Sequence, residues 1–319
     1  MDGSRRDFLK GVAVGGACTL AAGCVDVPGK GLDSGATGYA LGAKGRMRFT
    51  VPGLKEELRV FVVGDTHLAF HDERDDAYAA CYARMAQYPA KHGVFAQTLA
   101  RAKAEKADLV ALVGDIVSFP TLANVEYAMT ELEASGLNWI YTAGNHDWHF
   151  EGLPGSDMEL RAEWTQRRLT PFYQSRNPLM ASTVVKGVRF VTIDNSCYHI
   201  TREQLDFWES EADKGDPTVL LMHVPLWVEG FGLFTCGNPQ WGADTDPYWE
   251  VERRMRWAER QSPESFALRE SVLATPNLVA VFTGHIHTTM TATERGKFLL
   301  SVPANKTGEF WSVRMRRSA

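Results

Sequence analysis

Gly144-Asn145-His146-Asp147, which follows the apolar run 138–143, is the stretch of sequence from which the fold class follows. Asparagine and aspartate are uncommon in strands, and asparagine, histidine and aspartate are all good ligands, so the motif predicts chemistry at the end of a buried strand. In open α/β folds, ligands bind beyond the carboxyl ends of the strands. We therefore expect a functional site at that edge of the sheet.

Four more apolar runs end in the same way. They lead into Gly64-Asp65-Thr66-His67, Gly114-Asp115, His223-Val224-Pro225 and Gly284-His285-Ile286-His287. A two-residue step along an extended chain keeps both side chains on one side, so each D-x-H or H-x-H pair can aim two ligands at one region. The sequence therefore places Asp, His or Asn at five predicted strand ends.

Between these motifs the pattern alternates strands and helices, which is typical of parallel βαβ units. The predicted strands are 46–51 (an edge strand), 58–63, 108–113, 138–143, 180–185, 188–193, 217–223, 278–283, 288–293, 297–302 and 310–315. The predicted helices are 75–88, 94–106, 123–135, 157–169, one that begins at the capping box Thr201 to Gln204, and 264–273. One mixed α/β domain, residues 46–319, accounts for the body of the chain.

Composition narrows the class of protein. The chain has 319 residues, of which 45% are hydrophobic and 23% charged, and this balance excludes disordered, collagenous and polytopic membrane proteins. A formal charge of −5 argues against non-specific nucleic-acid binding, and no nucleic-acid partner is indicated. The five cysteines show no C-x-x-C spacing, so the sequence suggests neither a zinc ribbon nor a thioredoxin-type site. If Cys18 and Cys24 lie in a leader, three cysteines remain, and this odd number gives no case for a disulfide framework.

Residues 1–23 have the features of an export signal. Arg5-Arg6 with Phe8-Leu9-Lys10, followed by the uncharged run 11–23, resembles a twin-arginine signal, which exports folded proteins. Residues 21–24, Ala-Ala-Gly-Cys, resemble a lipobox, although Ala21 stands where leucine is usual. Cys24 is thus either lipidated or incidental to a conventional cleavage site. We expect a periplasmic or membrane-anchored protein, with membrane contact only through Cys24, and a flexible tether over 24–45.

The motif residues form one set of metal ligands. Carboxylate and imidazole together suit Mn, Fe or Zn better than Mg or Ca, which prefer oxygen ligands only. Such a set can hold two metals with one bridging carboxylate. In order, G-D-x-H, G-D, G-N-H-D, H-x-P and G-H-x-H over residues 64–287 resemble the motifs of the calcineurin-like binuclear metallophosphoesterases.

That resemblance implies an α/β fold, a four-layer α/β/β/α sandwich of two mixed sheets flanked by helices. It implies a cofactor of two divalent or Fe/Zn/Mn-type ions and hydrolysis of phosphate esters by a metal-bridging hydroxide. Under it, one metal is bound by Asp65, His67 and His287, the other by Asn145, His223 and His285, and Asp115 bridges them. His146 would bind a phosphate oxygen or protonate the leaving oxygen, and Asp147 would orient its neighbours.

Differences between these motifs and those of related branches of the family restrict the class of substrate that we expect. Asp115 is followed by Ile116-Val117-Ser118, without the Asp and Arg of protein Ser/Thr phosphatases, and without the tyrosine ligand of purple acid phosphatases. Residues 223–225 read H-V-P where cyclic-nucleotide phosphodiesterases often read H-H-P. We expect a small phosphorylated metabolite or nucleotide, mono- or diester. The alternatives are a nucleotide pyrophosphate-type hydrolase and a non-catalytic metal-binding scaffold.

An aromatic insertion, residues 226–262, follows the strand that ends at His223. Its length without regular pattern is typical of a functional loop. Trp241 and Trp249 within it either stack on a base or sugar of the substrate or form a satellite core under the loop.

Overall fold

The computed structural model describes residues 38–42, 45–87, 89–91, 93–229, 235–239 and 261–317. The predicted leader 1–23, Cys24 and both Trp241 and Trp249 lie outside the described residues, as does most of the aromatic insertion. In the described part of the chain, no helix has the length and apolar composition needed to cross a membrane.

Two six-stranded mixed sheets form the centre of the protein. The first has the order β1-β2-β12-β3-β4-β5, with β1 Gly38–Gly42, β2 Arg46–Val51, β12 Trp311–Arg317, β3 Leu58–Val63, β4 Leu109–Val113 and β5 Trp139–Thr142. The second has the order β10-β11-β9-β8-β7-β6, with β10 Met290–Glu294, β11 Lys297–Ser301, β9 Leu278–Thr283, β8 Thr218–Leu221, β7 Val188–Ile193 and β6 Met180–Val185.

Helices lie between strands along the chain. They are α1 Ala79–Ala86, α2 Val94–Ala104, α3 Leu122–Ser135, α4 Asp157–Trp164, α5 Thr170–Tyr173, α6 Arg202–Ala212 and α7 Pro263–Ala274. The predicted capping box at α6 is present, because the Thr201 hydroxyl accepts the N–H of Gln204 and the Gln204 side chain accepts the N–H of Thr201. Gly136, in the left-handed region, ends α3.

Side-chain alternation along the strands explains the layers. In β3, Val60 and Val62 belong to the buried cluster between the two sheets, whereas Phe61 and Val63 belong to the cluster under the helices. Both faces of this strand are therefore buried, which is why its sequence is a continuous apolar run rather than an alternation. The predicted fold class, two mixed sheets flanked by helices, is confirmed.

Several predicted boundaries need correction. The tether expected over 24–45 ends earlier, because residues 38–42 form β1, which pairs antiparallel with β2. The strand Arg46–Val51 is consequently not an edge strand. The helix predicted over 75–88 begins as a 3-10 helical turn, Glu73–Tyr78. The helix predicted over 157–169 contains a π-helical turn, Thr165–Leu169, and continues into α5.

Candidate metal centre

The five strand ends that carry polar motifs meet at one place in the structure. Their side chains form two groups that share Asp115, and within each group one potential ligand atom per residue lies within 4.8 Å of the others. The first group is Asp65, His67, Asp115 and His287, and the second is Asp115, His223 and His285. The two sheets contribute jointly, because β3, β4 and β5 carry three of the motifs and β8 and β9 the other two.

In the first group, the imidazoles of His67 and His287 lie next to each other and next to two carboxylates. His67 Nε2 lies 3.0 Å from His287 Nε2 and 3.7 Å from Asp115 Oδ2. His287 Nε2 lies 3.3 Å from Asp65 Oδ1. These nitrogen and oxygen donors converge on one point, which is the arrangement that a cation of the Mn, Fe or Zn type needs.

In the second group, His223 is held by its other ring nitrogen. Its Nδ1 donates to the carbonyl oxygen of Val113 at 2.9 Å, so that Nε2 points to the site. His223 Nε2 lies 3.3 Å from Asp115 Oδ2 and 3.2 Å from Asn145 Oδ1. Asn145, predicted as a ligand, thus joins this group. The imidazole, carboxylate and amide donors of the two groups are of the types that bind metal ions.

The backbone at these residues is strained. Asp65, His67, Asp115, His285 and His287 all have positive φ angles, between 51° and 72°. Such angles are uncommon outside glycine and cluster at functional sites, where the surrounding structure must hold them. Here the N–H groups of Asp65 and His67 donate to the carbonyl oxygens of Gly114 and Asp115, both at 2.9 Å. The loops after β3 and β4 therefore fix each other.

Glycine at the strand ends allows this close approach. A Cβ added to Gly114 would lie 2.5 Å from Gly144 N and 2.6 Å from His223 Nδ1, and the φ of Gly114 is +84°. A Cβ at Gly144 would collide with the Asp115 carboxylate. No larger residue fits between the ligand loops at these two positions.

Asp147, predicted to orient its neighbours, lies fully buried among backbone N–H groups. Its carboxylate accepts the N–H of Asp115 at 2.8 Å, of Gly144 at 2.7 Å and of Val117 at 2.9 Å. Burial, and next the Asp115 carboxylate, raise the pKa of Asp147 to about 7. Asp147 therefore holds the loops that carry Asp115 and Asn145.

The other predicted catalytic residue, His146, is half-buried at the edge of the centre. Its backbone N–H donates to Asp115 Oδ1 at 2.8 Å, and its ring lies 4.9 Å from that of His67, centroid to centroid. The side chain is thus beside the first group without being part of it.

The histidines of the site differ in the direction of their pKa shifts. Burial lowers the pKa of His67 and of His285 well below the usual value, so both rings are neutral near pH 7. For His223, burial also acts to lower the pKa, but the Asp115 carboxylate outweighs it and raises the pKa to about 9. For Asp115, burial acts to raise the pKa, yet His223, His146 and other neighbours hold it well below its usual value.

Sequence reasoning missed two residues of the site. The Tyr198 hydroxyl lies 3.3 Å from His285 Nε2, and Tyr198 is buried with a positive φ of 66°. Asn195 Oδ1 accepts the N–H groups of His223 and Val224 at 3.2 and 3.0 Å. The sequence contained a signal for Asn195, because Asp194-Asn195 directly follow the apolar strand β7, as the other polar motifs follow their strands.

Solved structures similar to this chain include metal-dependent phosphatases. A dimetal phosphatase from Danio rerio is 11% identical, with 78% of this chain and 88% of that chain covered and a TM-score of 0.49. A purple acid phosphatase from yellow lupin seeds is 14% identical, with 81% and 46% covered and a TM-score of 0.49. The phosphopantetheinyl hydrolase of Mycobacterium tuberculosis is 11% identical, with 81% and 96% covered and a TM-score of 0.41.

No curated protein matches the chain significantly. The calcineurin-like phosphoesterase family matches residues 58–289, which include all the residues of the two groups. This match spans well over half of the sequence, and the chain therefore belongs to the calcineurin-like phosphoesterase family.

Proposed function

We propose that this protein hydrolyses phosphate esters of a small metabolite or nucleotide in a reaction that requires two bound metal ions. One observation carries the proposal: two convergent groups of ligand atoms share the Asp115 carboxylate. Asp65, His67 and His287 would hold one ion, Asn145, His223 and His285 the other, and Asp115 would contact both. Two cations at such a site acidify water and neutralise charge on phosphoryl oxygens.

The chain's own residues would prepare and hold the reactants. His67 and His285 are neutral near pH 7, so each can offer a lone pair without first losing a proton. The bond from His223 Nδ1 to Val113 fixes which nitrogen faces the site. The Asp147 carboxylate accepts three backbone N–H groups of the ligand loops, so its proposed role is positioning rather than proton transfer.

His146 is the proposed donor to the substrate. It lies beside the first group, and its backbone is held by Asp115, so its ring has a defined position relative to both groups. A protonated imidazole can donate to a phosphoryl oxygen or protonate the leaving oxygen. Removal of this ring should lower turnover without removing metal.

A small substrate is supported by the residues that follow Asp115. Ile116, Val117 and Ser118 are all buried, and the N–H of Val117 is bound to Asp147. No arginine or aspartate is presented there, whereas protein Ser/Thr phosphatases resembling this family carry both at the matching place. We therefore do not propose a phosphoprotein substrate.

The test compares hydrolysis of p-nitrophenyl phosphate and bis-p-nitrophenyl phosphate by protein that is metal-stripped and then reloaded with Mn, Fe or Zn. Metal-dependent cleavage, abolished in Asp115→Asn and reduced in His146→Ala with its metal retained, is expected. His71→Ala is the matched control, because His71 is exposed and stacks on Tyr82 instead. Bound metal with no cleavage of either ester would overturn the proposal in favour of a scaffold.

We also infer export to the periplasm. The support is the sequence of residues 1–23, with Arg5-Arg6 before an uncharged run. Cell fractionation of the full chain and of Arg5→Lys/Arg6→Lys tests it, since loss of export in the variant alone is expected of a twin-arginine signal. A mass measurement on the exported protein, with Cys24→Ser as control, decides whether Cys24 carries lipid.

A further inference from the structure

A row of arginines crosses the outer face of the first sheet. Arg48 of β2 lies directly opposite Arg314 of β12, and Arg314 lies directly opposite Arg59 of β3. Their strand neighbours Met47, Val60 and Val313 belong to the cluster between the sheets, so the three arginines project to the other side. Like charges directly opposite on adjacent strands destabilise a sheet. The repulsion among these arginines therefore destabilises the sheet, and a bound anion would offset it.

These arginines line a cavity rather than a flat surface. The cavity has a volume of about 500 Å³ and is bounded by β1, β2, β12, the start of β3 and the last turns of α2. Arg46 and Arg101 complete its charged lining, and Ala40 and Gly42 leave room at β1. A volume of this size is within the range of small-molecule sites.

The lining is strongly positive in a negative protein. It contains five arginines and one acid, Glu105, a formal charge of +4 in a chain whose formal charge is −5. Such segregation concentrates positive potential in a concave place, where field lines are focused.

The acids nearby are shared among several arginines. Glu57 lies 3.6 Å from Arg59, 3.9 Å from Arg314 and 2.9 Å from Arg316, so one carboxylate serves three guanidinium groups. Arg59 donates from Nη1 to the carbonyl oxygen of Glu105, and its Nε is buried. Arg48 is exposed, and it makes no ion pair with the residues that the structure describes. The donors of Arg48 are therefore available to a ligand.

Glu105 is similarly shared. It lies 2.6 Å from Arg101 and 3.8 Å from Arg46, and it accepts the Ser312 hydroxyl at 3.0 Å. Its position at the end of α2 fixes Arg101 at the rim of the cavity.

The cavity is separate from the metal centre. Arg59 is the second residue of β3, whereas Asp65 follows the end of this strand, and six residues of extended chain span about 20 Å. A ligand in the cavity would not touch the residues proposed for catalysis.

We propose that this cavity binds a phosphate-bearing anion, supplied either as a soluble phosphate compound or as the headgroup of an anionic lipid. Phosphate is favoured over a carboxylate because its several oxygens accept paired N–H groups from more than one guanidinium at once. Arg48 and Arg314 supply those donors from two adjacent strands, and Arg59 beside them adds positive charge.

The test uses the metal-loaded full chain and the double variant Arg48→Gln/Arg314→Gln. Equilibrium dialysis with radiolabelled orthophosphate counts phosphate bound per chain, and any phosphate at the metal centre is common to all proteins. The matched control is Arg202→Gln/Arg295→Gln, which removes two exposed arginines, each in a single ion pair elsewhere. In a parallel arm, the proteins are sedimented with vesicles of phosphatidylglycerol or of phosphatidylcholine.

We expect the Arg48/Arg314 variant to bind phosphate at this site with an affinity about tenfold or more below that of the wild-type and control proteins. This is the loss of affinity that removal of charged hydrogen bonds gives. That result in dialysis identifies a soluble ligand. The same difference with phosphatidylglycerol vesicles alone identifies a lipid headgroup. Equal binding by all three proteins in both arms, with circular dichroism showing that all are folded, would overturn the proposal.

Discussion

Asp147 and Asp115 hold each other's loops in place: the Asp147 carboxylate accepts the N–H of Asp115 at 2.8 Å, and Asp115 accepts the N–H of His146, also at 2.8 Å. Asp147 also accepts from Gly144 and Val117. The strand ends of β4 and β5 are thereby tied through two carboxylates. The position of Asp115 therefore depends on its hydrogen bond to Asp147.

The first prediction concerns this link. In Asp147→Asn, an amide nitrogen replaces one acceptor oxygen and faces backbone N–H donors, so at least one buried N–H loses its partner. We expect the free energy of unfolding to fall by about 1–3 kcal/mol, measured by urea denaturation of the metal-free protein. Asp206→Asn, on the exposed face of α6, is the control and should change little. Equal midpoints for both variants would contradict the assignment.

The second prediction concerns how the metals are divided. His287 belongs to the first group and His223 to the second. We expect His287→Ala and His223→Ala each to bind one metal per chain where the wild type binds two, and Asp115→Ala to lose affinity for both. Elemental analysis after dialysis measures the content, with His71→Ala as the control. Loss of both metals in each single variant would argue against two separable sites.

The sequence was sufficient to predict the strand ends because their signals are local. β3, β6, β7 and β9 begin and end where the sequence predicts, since each is an apolar or alternating run bounded by turn residues. The predicted ligands Asp65, His67, Asp115, Asn145, His223, His285 and His287 come together because the sheets present these ends at one edge.

Features that depend on distant partners were not predictable. β12 lies between β2 and β3, in the middle of the first sheet, and nothing local in 311–317 specifies those neighbours. β1 contains two glycines, which disfavour strands, and is held by its pairing with β2 and by Tyr39, whose ring lies 4.2 Å from that of Phe298. Tyr198 reaches His285 from a loop whose conformation no periodic pattern encodes.

The third prediction concerns Gly114. In Gly114→Ala, the new methyl group would lie 2.6 Å from His223 Nδ1, at a φ of +84° that alanine adopts poorly. We expect a loss of stability and of metal affinity together, because the methyl group displaces His223. Gly136→Ala is the matched control, since its φ is +67° with no atom within 4 Å. It should lose about 1 kcal/mol of stability and no metal.

If Gly114→Ala and Gly136→Ala proved equally stable and equally metal-loaded, close approach at Gly114 would have no role. Thermal unfolding and elemental analysis of the two purified variants make this comparison directly.

The fourth prediction concerns Tyr198. Its hydroxyl lies 3.3 Å from His285 Nε2 and therefore next to the second group. In Tyr198→Phe the ring remains and only the hydroxyl is lost, so we expect metal content to be unchanged. If the hydroxyl donates to the bound phosphoryl group, kcat should fall roughly tenfold, the effect of one hydrogen bond to a charged group. An unchanged kcat would show that the hydroxyl serves His285 alone.

The fifth prediction concerns protons released on metal binding. Asp115 raises the pKa of His223 to about 9, against the effect of burial, so at pH 8 this imidazole carries a proton that a metal must displace. His67 and His285, with pKa values well below usual, have none to lose. Asp147, with a pKa of about 7, is largely ionised at pH 8.

We therefore expect His223 to release about one proton per chain at pH 8 when the second group is filled. Calorimetric titration with Zn or Mn in two buffers of different ionisation enthalpy measures this number. The apparent affinity of the second group should fall about tenfold per unit as the pH drops from 9 toward 7, because each unit makes the neutral imidazole tenfold rarer. His287→Ala should keep the release from His223, and His223→Ala should release about one proton fewer than the wild type. Equal release by the wild type and His223→Ala would mean that Asp115 does not hold His223 in its charged form.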